Sequence, residues 1–282
     1  MVSILILTKN EQQDLPGCLA SVKWSDDVHV FDSMSTDTTV EIARQFGAFV
    51  TVRGYGENKL AFGGDEGAHR TWALRNISFR HAWVFVIDAD ERMTLELVAA
   101  VKQVAAQPAG KVAFSVQRRD FLLGTWLKHV QASAFYIRLF RPDKVHYERF
   151  INSVLIPDGD VGSVTGYLDH FPFSKGMNHW LDRHNGYSYF EAQQIVADRA
   201  KGGTLSIAKA FTAKDFHERR VHQKKLFYLL PLRPVIKFIW LYIGKCGFLD
   251  GKAGLTYAIL QSIYEYFIVL KTREFEAQQD KR

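Results

Sequence analysis

Val84-Phe85-Val86-Ile87-Asp88-Ala89-Asp90-Glu91 is the stretch on which the fold turns. With Trp83 it opens on five apolar residues, then carries two carboxylates spaced i, i+2 and a third acid. A short run of β-branched and aromatic residues reads as a buried strand. Its polar end would lie at the carboxyl edge of an open α/β sheet, where such folds bind ligands. Two carboxylates gathered there repel one another unless a cation lies between them, and oxygen donors of this kind suit Mg²⁺ or Mn²⁺. A cation so held escorts a phosphate. The stretch therefore points to an enzyme acting on a nucleotide-linked substrate.

Upstream, strand and helix patterns alternate. Val2–Leu7, Val28–Asp32, Ala48–Val52 and Trp83–Ile87 read as strands. Between them lie a loop and helix over Asn10–Val22, a helix over Asp37–Phe46 and a helix through Trp72-Ala73-Leu74, the last preceded by a loop with glycines 54, 56, 63, 64 and 67. This βαβαβ rhythm predicts an α/β fold with a Rossmann-like, mainly parallel sheet flanked by helices. Beyond Pro108-Ala109-Gly110, Val112–Val116 and Phe135–Phe140 read as strands, 141–166 as loop-rich, and Asn178–Ala200 as helix. The last segment holds two apolar stretches. One of them, Leu226–Ile243, is interrupted by Pro231, Arg233, Pro234 and Lys237 and makes a poor membrane span.

With 282 residues, 47% of them hydrophobic, the chain can bury a sizeable core. Cys18 and Cys246 form no CxxC pair, so neither a disulfide framework nor a structural zinc site is expected and a reducing compartment fits. The apolar run at Val2–Leu7 is too short for a signal peptide, which places function in the cytoplasm. The net charge of +6 is unevenly spread: residues 201–282 carry 15 Lys and Arg against 7 Asp and Glu, a balance of +8. That segment is also rich in aromatic and aliphatic residues, a pairing that suggests an anionic surface as partner.

Thr8-Lys9-Asn10-Glu11 follows the first strand, and Asp32-Ser33-Met34-Ser35-Thr36-Asp37 the second. Each alone reads equally as a capping turn. Their joint placement with Asp88 and Asp90 puts polar groups at one edge of three strands. Asp32 there can accept a hydrogen bond from a base or a ribose hydroxyl. No GxxxxGK[ST] or GxGxxG loop follows the first strand, so phosphate neutralisation falls to a metal, with help from Lys9, Lys59 or Arg70. His179 and His184, spaced i, i+5, do not share a helix face and read as structural.

These blocks, together with Arg138-Leu139-Phe140-Arg141, Trp180 through Ser188 and Gly247 through Leu255, resemble family 2 glycosyltransferases of the GT-A fold. The likeness is greatest to the bacterial subgroup that includes lipopolysaccharide-core β-glucosyltransferases, and it covers nearly the whole chain. The resemblance implies a nucleoside-diphosphate-sugar donor, a divalent metal (Mg²⁺ or Mn²⁺) and inversion at the anomeric carbon. Thr8, Asn10, Glu11 and Asp32 would hold the nucleoside, with Arg70 on the donor side. Asp88 would sit near the ribose or metal, and Asp90 would bind the metal, whose Lewis acidity stabilises the leaving diphosphate. Residues 1–110 would form the donor-binding half, 111–200 the acceptor half, and 201–282 a basic, aromatic helical extension that associates with a membrane.

Inversion in one displacement needs one general base. Many relatives carry Val-His-Glu where this chain has Ile151-Asn152-Ser153. Glu148 is the nearest carboxylate and first candidate, Asp120 the second; both also suit ion pairs. Basic and aromatic residues mixed from Arg219 to Tyr242 fit the anionic inner face of the cytoplasmic membrane, with a membrane glycolipid as acceptor. Their alternative is a pair of helices packed on the sheet. No recognition helix for nucleic acid is visible, so no nucleic-acid partner is expected. Two other classes stay open at this point: a sugar nucleotidyltransferase, and a non-catalytic membrane-associated chain with a degenerate GT-A fold.

Overall fold

The computed structural model describes residues 1–54, 65–148, 153–200, 207–212, 222–223 and 226–279. Lys59, residues 149–152, Arg219, Arg220, Lys224 and Lys225 lie outside them. Strands are β1 (Ser3–Thr8), β2 (Val28–Asp32), β3 (Phe49–Val52), β4 (Val84–Asp88), β5 (Glu91–Met93), β6 (Ala113–Leu122), β7 (Thr125–Trp126), β8 (Phe135–Phe140), β9 (Val145–Glu148), β10 (Val154–Pro157) and β11 (Val161–His170). Helices are α1 (Leu15–Ser21), α2 (Thr39–Gln45), α3 (Glu66–Asn76), α4 (Leu95–Ala106), α5 (Gly176–Ala200), α6 (Ile207–Thr212), α7 (Arg233–Ile239) and α8 (Gly251–Gln279).

Two compact units result: Met1–Phe121 with Ser133–Lys175, and Leu122–Ala132 with Gly176–Arg282. The first contains the sheet, in the order β3-β2-β1-β4-β8-β6-β11-β5. The βαβ half, β3-β2-β1-β4, is parallel throughout. Beyond β4 the sheet turns mixed: β8 is antiparallel to β4 and β6, β11 parallel to β6, and β5 antiparallel to β11. Ile4 and Ile6 pack with Leu15, Leu19, Leu97 and Val101 on one face, while Leu5 packs with Phe31, Ala73 and Leu74 on the other. Burial on both faces is why these strands read as continuous apolar runs rather than alternating ones.

Two segments differ from the sequence expectation. The stretch 141–166 is not mainly loop: β9 and β10 form an antiparallel ribbon and β11 begins at Val161. Short, mixed-polarity strands leave little periodicity to read. β6 runs on to Leu122, past Arg118, Arg119 and Asp120, because each of those charges finds a partner on a sequence-distant strand.

In the second unit, α5 and α7 pack along α8. Asp250 accepts from the backbone amides of His129 (2.9 Å) and Val130 (2.8 Å) and from His129 Nδ1 (2.7 Å), tying 122–132 to the start of α8. A Cβ at Gly254 would stand 2.0 Å from the Gly247 carbonyl oxygen and one at Gly247 would stand 2.6 Å from the Leu241 carbonyl oxygen, which explains both glycines. His184 stacks on Trp180 with ring centroids 3.6 Å apart and donates through Nδ1 to the Trp180 carbonyl, a packing role. Gly247–Gln278 is long and apolar enough to cross a bilayer. About a third of an apolar 18-residue stretch within it is buried in the protein.

Gly166 lies at φ +88°, and a Cβ there would meet Leu97 N at 2.6 Å; Gly47, at φ +78°, has no neighbour within 4 Å. Gly47→Ala is expected to cost about 1 kcal/mol, the left-handed penalty alone. Gly166→Ala is expected to cost about 2–4 kcal/mol, since overpacking against backbone adds to it. Urea unfolding of both variants checks this; equal losses would contradict the close approach.

Candidate active site

Strand register assembles the site. β1 sets Thr8 beside Asp32 on one side and Leu7 beside Asp88 on the other. β11 sets His170 beside Asp120 of β6 and Glu91 of β5. Polar ends of strands far apart in sequence thus meet at one region of the first unit.

Arg138 lies at the centre of the charge. Its Nη2 donates to Asp88 Oδ2 at 2.9 Å and to Glu91 Oε1 at 2.6 Å. Glu91, fully buried, also accepts from the Asp88 amide at 2.9 Å, closing the Asp88-Ala89-Asp90-Glu91 turn on itself. Burial alone would raise the Asp88 carboxyl, but Arg138 and then Arg70 override it and hold it well below the usual carboxylate range. Burial raises Glu91, Arg138 offsets only part of that, and the charge of Asp88 adds to it. Burial likewise opposes the Arg138 charge, yet Glu91 and Asp88 hold it firmly protonated. Arg92 supports the turn from below, donating to the carbonyls of Ala89 (2.7 Å) and Asp14 (2.8 Å). A side chain at Gly17 would collide with its guanidinium.

His170 joins two acids. Its Nδ1 is 2.5 Å from Asp120 Oδ1 and its Nε2 3.2 Å from Asp90 Oδ2. Burial works against its charge, but the hydrogen bonds to Asp120 and Asp90 outweigh it and carry the pKa to about 9. Arg118 Nε also reaches Asp120, at 3.1 Å.

On the other flank, Asp32 is fully buried and accepts from Thr8 Oγ1 (2.8 Å), Ser35 N (2.8 Å) and Ser35 Oγ (2.5 Å). Three of roughly four acceptor positions on its carboxylate are thereby taken, and its visible work is to order the loop after β2. Asn10, at φ 55°, stitches that loop to the end of β1: its amide donates to Ser35 Oγ and its Oδ1 accepts from Thr36 N. Glu11 pairs with Lys175 Nζ at 2.6 Å; burial raises its carboxyl, Lys175 only partly offsets that, and the pKa lies at about 7. Lys9 donates to the Ser33 carbonyl at 2.6 Å.

Arg70 pairs with Glu66 at 2.5 Å and lies 5.6 Å from the Tyr147 ring, on the Asp88 side. Adjacent strand residues point to opposite faces. Glu148 accordingly lies away from Tyr147, exposed, accepting from His146 Nε2 at 3.1 Å. Among the proposed residues, then, Asp88, Asp90 and Asp120 meet with Arg70 nearby, and Thr8, Asn10 and Asp32 form the adjoining loop cluster. The structure does not bring Glu148 to either. Sequence reading left Arg138, His170, Glu91, Arg92 and Lys175 without roles. For Arg138 the available signal was a charged residue inside an otherwise apolar strand; for His170, at the end of the mixed-polarity β11, there was none.

Residues 3–164, more than half of the chain, match glycosyl transferase family 2, and the chain belongs to that family. It is a glycosyltransferase. It is similar to the lipopolysaccharide core biosynthesis glycosyltransferase LpsC of Rhizobium meliloti, 27% identical over 94% of this chain and 92% of that one. An uncharacterized glycosyltransferase of Rickettsia typhi is 34% identical over 37% of this chain and 33% of its own. Among solved structures, S. aureus TarS 1–349 shares 12% identity over 98% of this chain and 91% of that one, with a TM-score of 0.43. Mycobacterium tuberculosis glucosyl-3-phosphoglycerate synthase with Mn²⁺, UDP and glucosyl-3-phosphoglycerate shares 22% over 42% and 44%, with a TM-score of 0.35. Likenesses this loose do not bear on the site.

Among the described residues, no group of three or more His, Cys, Asp or Glu side chains is gathered for a metal ion. The donor set nevertheless fits one kind of ion. Asp88 and Asp90 are partly exposed, hard oxygen donors. Mg²⁺ is commonly held by one or two carboxylates, with substrate phosphates and water completing its shell.

His69, at the back of the Asp32 loop, bonds Ser33 Oγ through Nε2 (3.0 Å) and Arg53 Nη1 through Nδ1 (2.9 Å). Because a guanidinium only donates, Nδ1 must accept and the ring is neutral. Burial, then the charges of Arg53, Arg70 and Lys9, lower its pKa to about 4. The unfolded chain binds the extra proton between pH 6.5 and 4, so this stability is present above pH 6.5 and is lost as pH falls toward 4. His69→Gln is expected to flatten the decline of unfolding free energy from pH 7 to 4.5 by on the order of 2 kcal/mol. Parallel slopes for variant and wild type would contradict the assignment.

Proposed function

We propose that this chain transfers a sugar, with inversion, from a nucleoside diphosphate (UDP in the first place) to a membrane-held saccharide at the inner face of the cytoplasmic membrane. Acceptors of that class include lipopolysaccharide-core and undecaprenyl-linked intermediates. One observation carries the reading: Asp88 and Asp90 stand at the carboxyl edge of a parallel sheet, buttressed by Arg138 and His170, where a diphosphate and its cation would be received. The similarity to LpsC, whose name gives lipopolysaccharide core biosynthesis, supports the acceptor class.

Each residue then has defined work. Thr8, Asn10, Asp32 and Glu11 shape the nucleoside side of the site through the loop cluster they order. Arg70 and Arg138 keep Asp88 ionised and add positive potential for the phosphates. Asp90 and Asp88 would hold the Mg²⁺ or Mn²⁺ ion, which when bound supplies charge neutralisation to the departing diphosphate. Direct displacement requires the acceptor hydroxyl to lose its proton as the new bond forms. Of the two acids proposed as base, Asp120 lies in the carboxylate cluster against His170, whereas Glu148 is turned toward His146 and solvent. Asp120 therefore takes first place and Glu148 second. Membership of family 2 also favours transfer of a sugar over the nucleotidyltransferase alternative.

The test is sugar transfer to isolated membranes by three variants whose folding is checked by circular dichroism. Asp90→Asn is expected to lose transfer by about 10³-fold, and chelation of divalent ions to do the same to the wild type. Asp120→Asn is expected to lose about 10²–10⁴-fold, and Glu148→Gln less than about threefold. Full turnover by Asp90→Asn would sink the proposal, and loss confined to Glu148→Gln would reverse the order of the bases.

A further inference from the structure

The helical unit has its polarity turned inside out. On α8 every exposed position between Lys252 and Lys271 is Leu, Ile or Tyr: Leu255, Ile259, Ile263, Tyr266 and Leu270. Spacings of four and three residues put them in one stripe along the helix. Glu265, the charged residue within that stretch, is buried and faces Arg233 Nε at 3.4 Å; Arg233 is itself only 4% exposed. The pattern continues upstream. From Leu229 to Leu249 no exposed position among the described residues is charged, and Ile239, Trp240 and Ile243 of α7 and the turn after it are 49%, 59% and 59% exposed. A surface in water shows the reverse arrangement, and so many outward-facing apolar residues on two packed helices mark an interaction site.

We propose that this face is a monotopic membrane-docking surface: the outward stripe of α8, with α7 and the turn between them, lies in the plane of an anionic bilayer and inserts to the headgroup and acyl boundary without crossing. Three features select a lipid surface. Trp240 and Tyr266 are amphipathic rings of the kind that settle at that boundary. Lys252 opens the stripe and Lys237 and Lys245 are half-buried nearby, so the end toward α7 is bordered by cations, while the far end carries both Arg273 and Glu274. The segment 201–282 carries +8 in sequence, of which residues 226–279, with six Lys and Arg against four Asp and Glu, hold +2, a sign that suits anionic headgroups.

Crossing is opposed by packing. Gly247–Gln278 is long enough to span, but α5 lies along α8 and carries Asp182, Arg183, Glu191, Asp198 and Arg199. A spanning α8 would draw those charges, and the Arg233–Glu265 pair, into hydrocarbon. Lying flat leaves them on the protein side, with only the stripe in lipid. The proposal names the partner of the site described above and rests on that reading for the acceptor, though not for the surface itself.

The purified full chain is sedimented with vesicles of phosphatidylglycerol and phosphatidylethanolamine, and with phosphatidylcholine alone. Binding is expected for the anionic vesicles, at least about tenfold weaker for phosphatidylcholine and for the double variant Ile259→Asp/Ile263→Asp. Because a charged pair on α8 could unfold the unit, the wild type provides an independent readout. Cys18 is buried and Cys246 exposed, so an environment-sensitive fluorophore goes to Cys246 and should shift to the blue on vesicle addition. Alkaline carbonate should strip the protein from the vesicles. No sedimentation, unaltered binding by a folded double variant, resistance to carbonate, or a stable dimer that shields the label would each overturn the proposal. Metal-dependent binding of nucleotide sugar without vesicles, read as a rise in Tm, is measured alongside. If it persists while vesicle binding fails, docking alone is wrong; if it too is absent, the donor-binding reading is what fails.

Discussion

The hydrogen bonds from Arg138 to Asp88 and Glu91 are the constraint on which the site is built. Three charges removed from water in so small a space are costly unless each is compensated, and deleting one partner of such a group commonly costs about 3–5 kcal/mol. Here the compensation is supplied by chain geometry. β4 brings Asp88, β5 brings Glu91 and β8 brings Arg138, and each strand is held in register by its neighbours. The same turn leaves Asp90 partly exposed at the edge, facing His170. An acid cluster that would repel itself is thus stabilised by protein cations, while Asp88 and Asp90 keep part of their carboxylates exposed.

Much of this half of the molecule is legible in the sequence. Strands buried on both faces have to be apolar throughout, so β1, β2 and β4 announce themselves and their polar ends mark the sheet edge. What is not legible comes from pairing across long separations. Arg118, Arg119 and Asp120 end the apolar run of Val112–Val116, and only Tyr136, Asp169 and His170 set beside them show that the strand continues. Arg138 sits within a strand motif, and nothing local reveals that it faces Asp88 and Glu91. Glu148 is next to Tyr147 in sequence, but the alternation of β9 sends the two side chains to opposite faces, which separates nearness along the chain from nearness to the site.

The C-terminal third was legible as a composition and not as an arrangement. Basic and aromatic residues with interrupted apolar runs raise the expectation of an anionic surface as partner, and the interruptions make Leu226–Ile243 a poor span. Only the packed helices show that Arg233 and Glu265 turn inward while the aliphatic residues turn outward. A charge that breaks an apolar run in the sequence can thus leave the surface of the folded unit without a break.

The central claim is that the edge near Asp88 and Asp90 receives a nucleoside diphosphate together with a divalent cation. The most direct measurement is thermal unfolding with UDP-, GDP- and dTDP-sugars, each with and without Mn²⁺. Ligand that binds only the folded state at 100 times its Kd adds about 2.7 kcal/mol, enough to raise Tm by several degrees. A rise with one nucleotide series that requires Mn²⁺ is the predicted result. No rise with any of them, in a protein that unfolds cooperatively, would contradict the account.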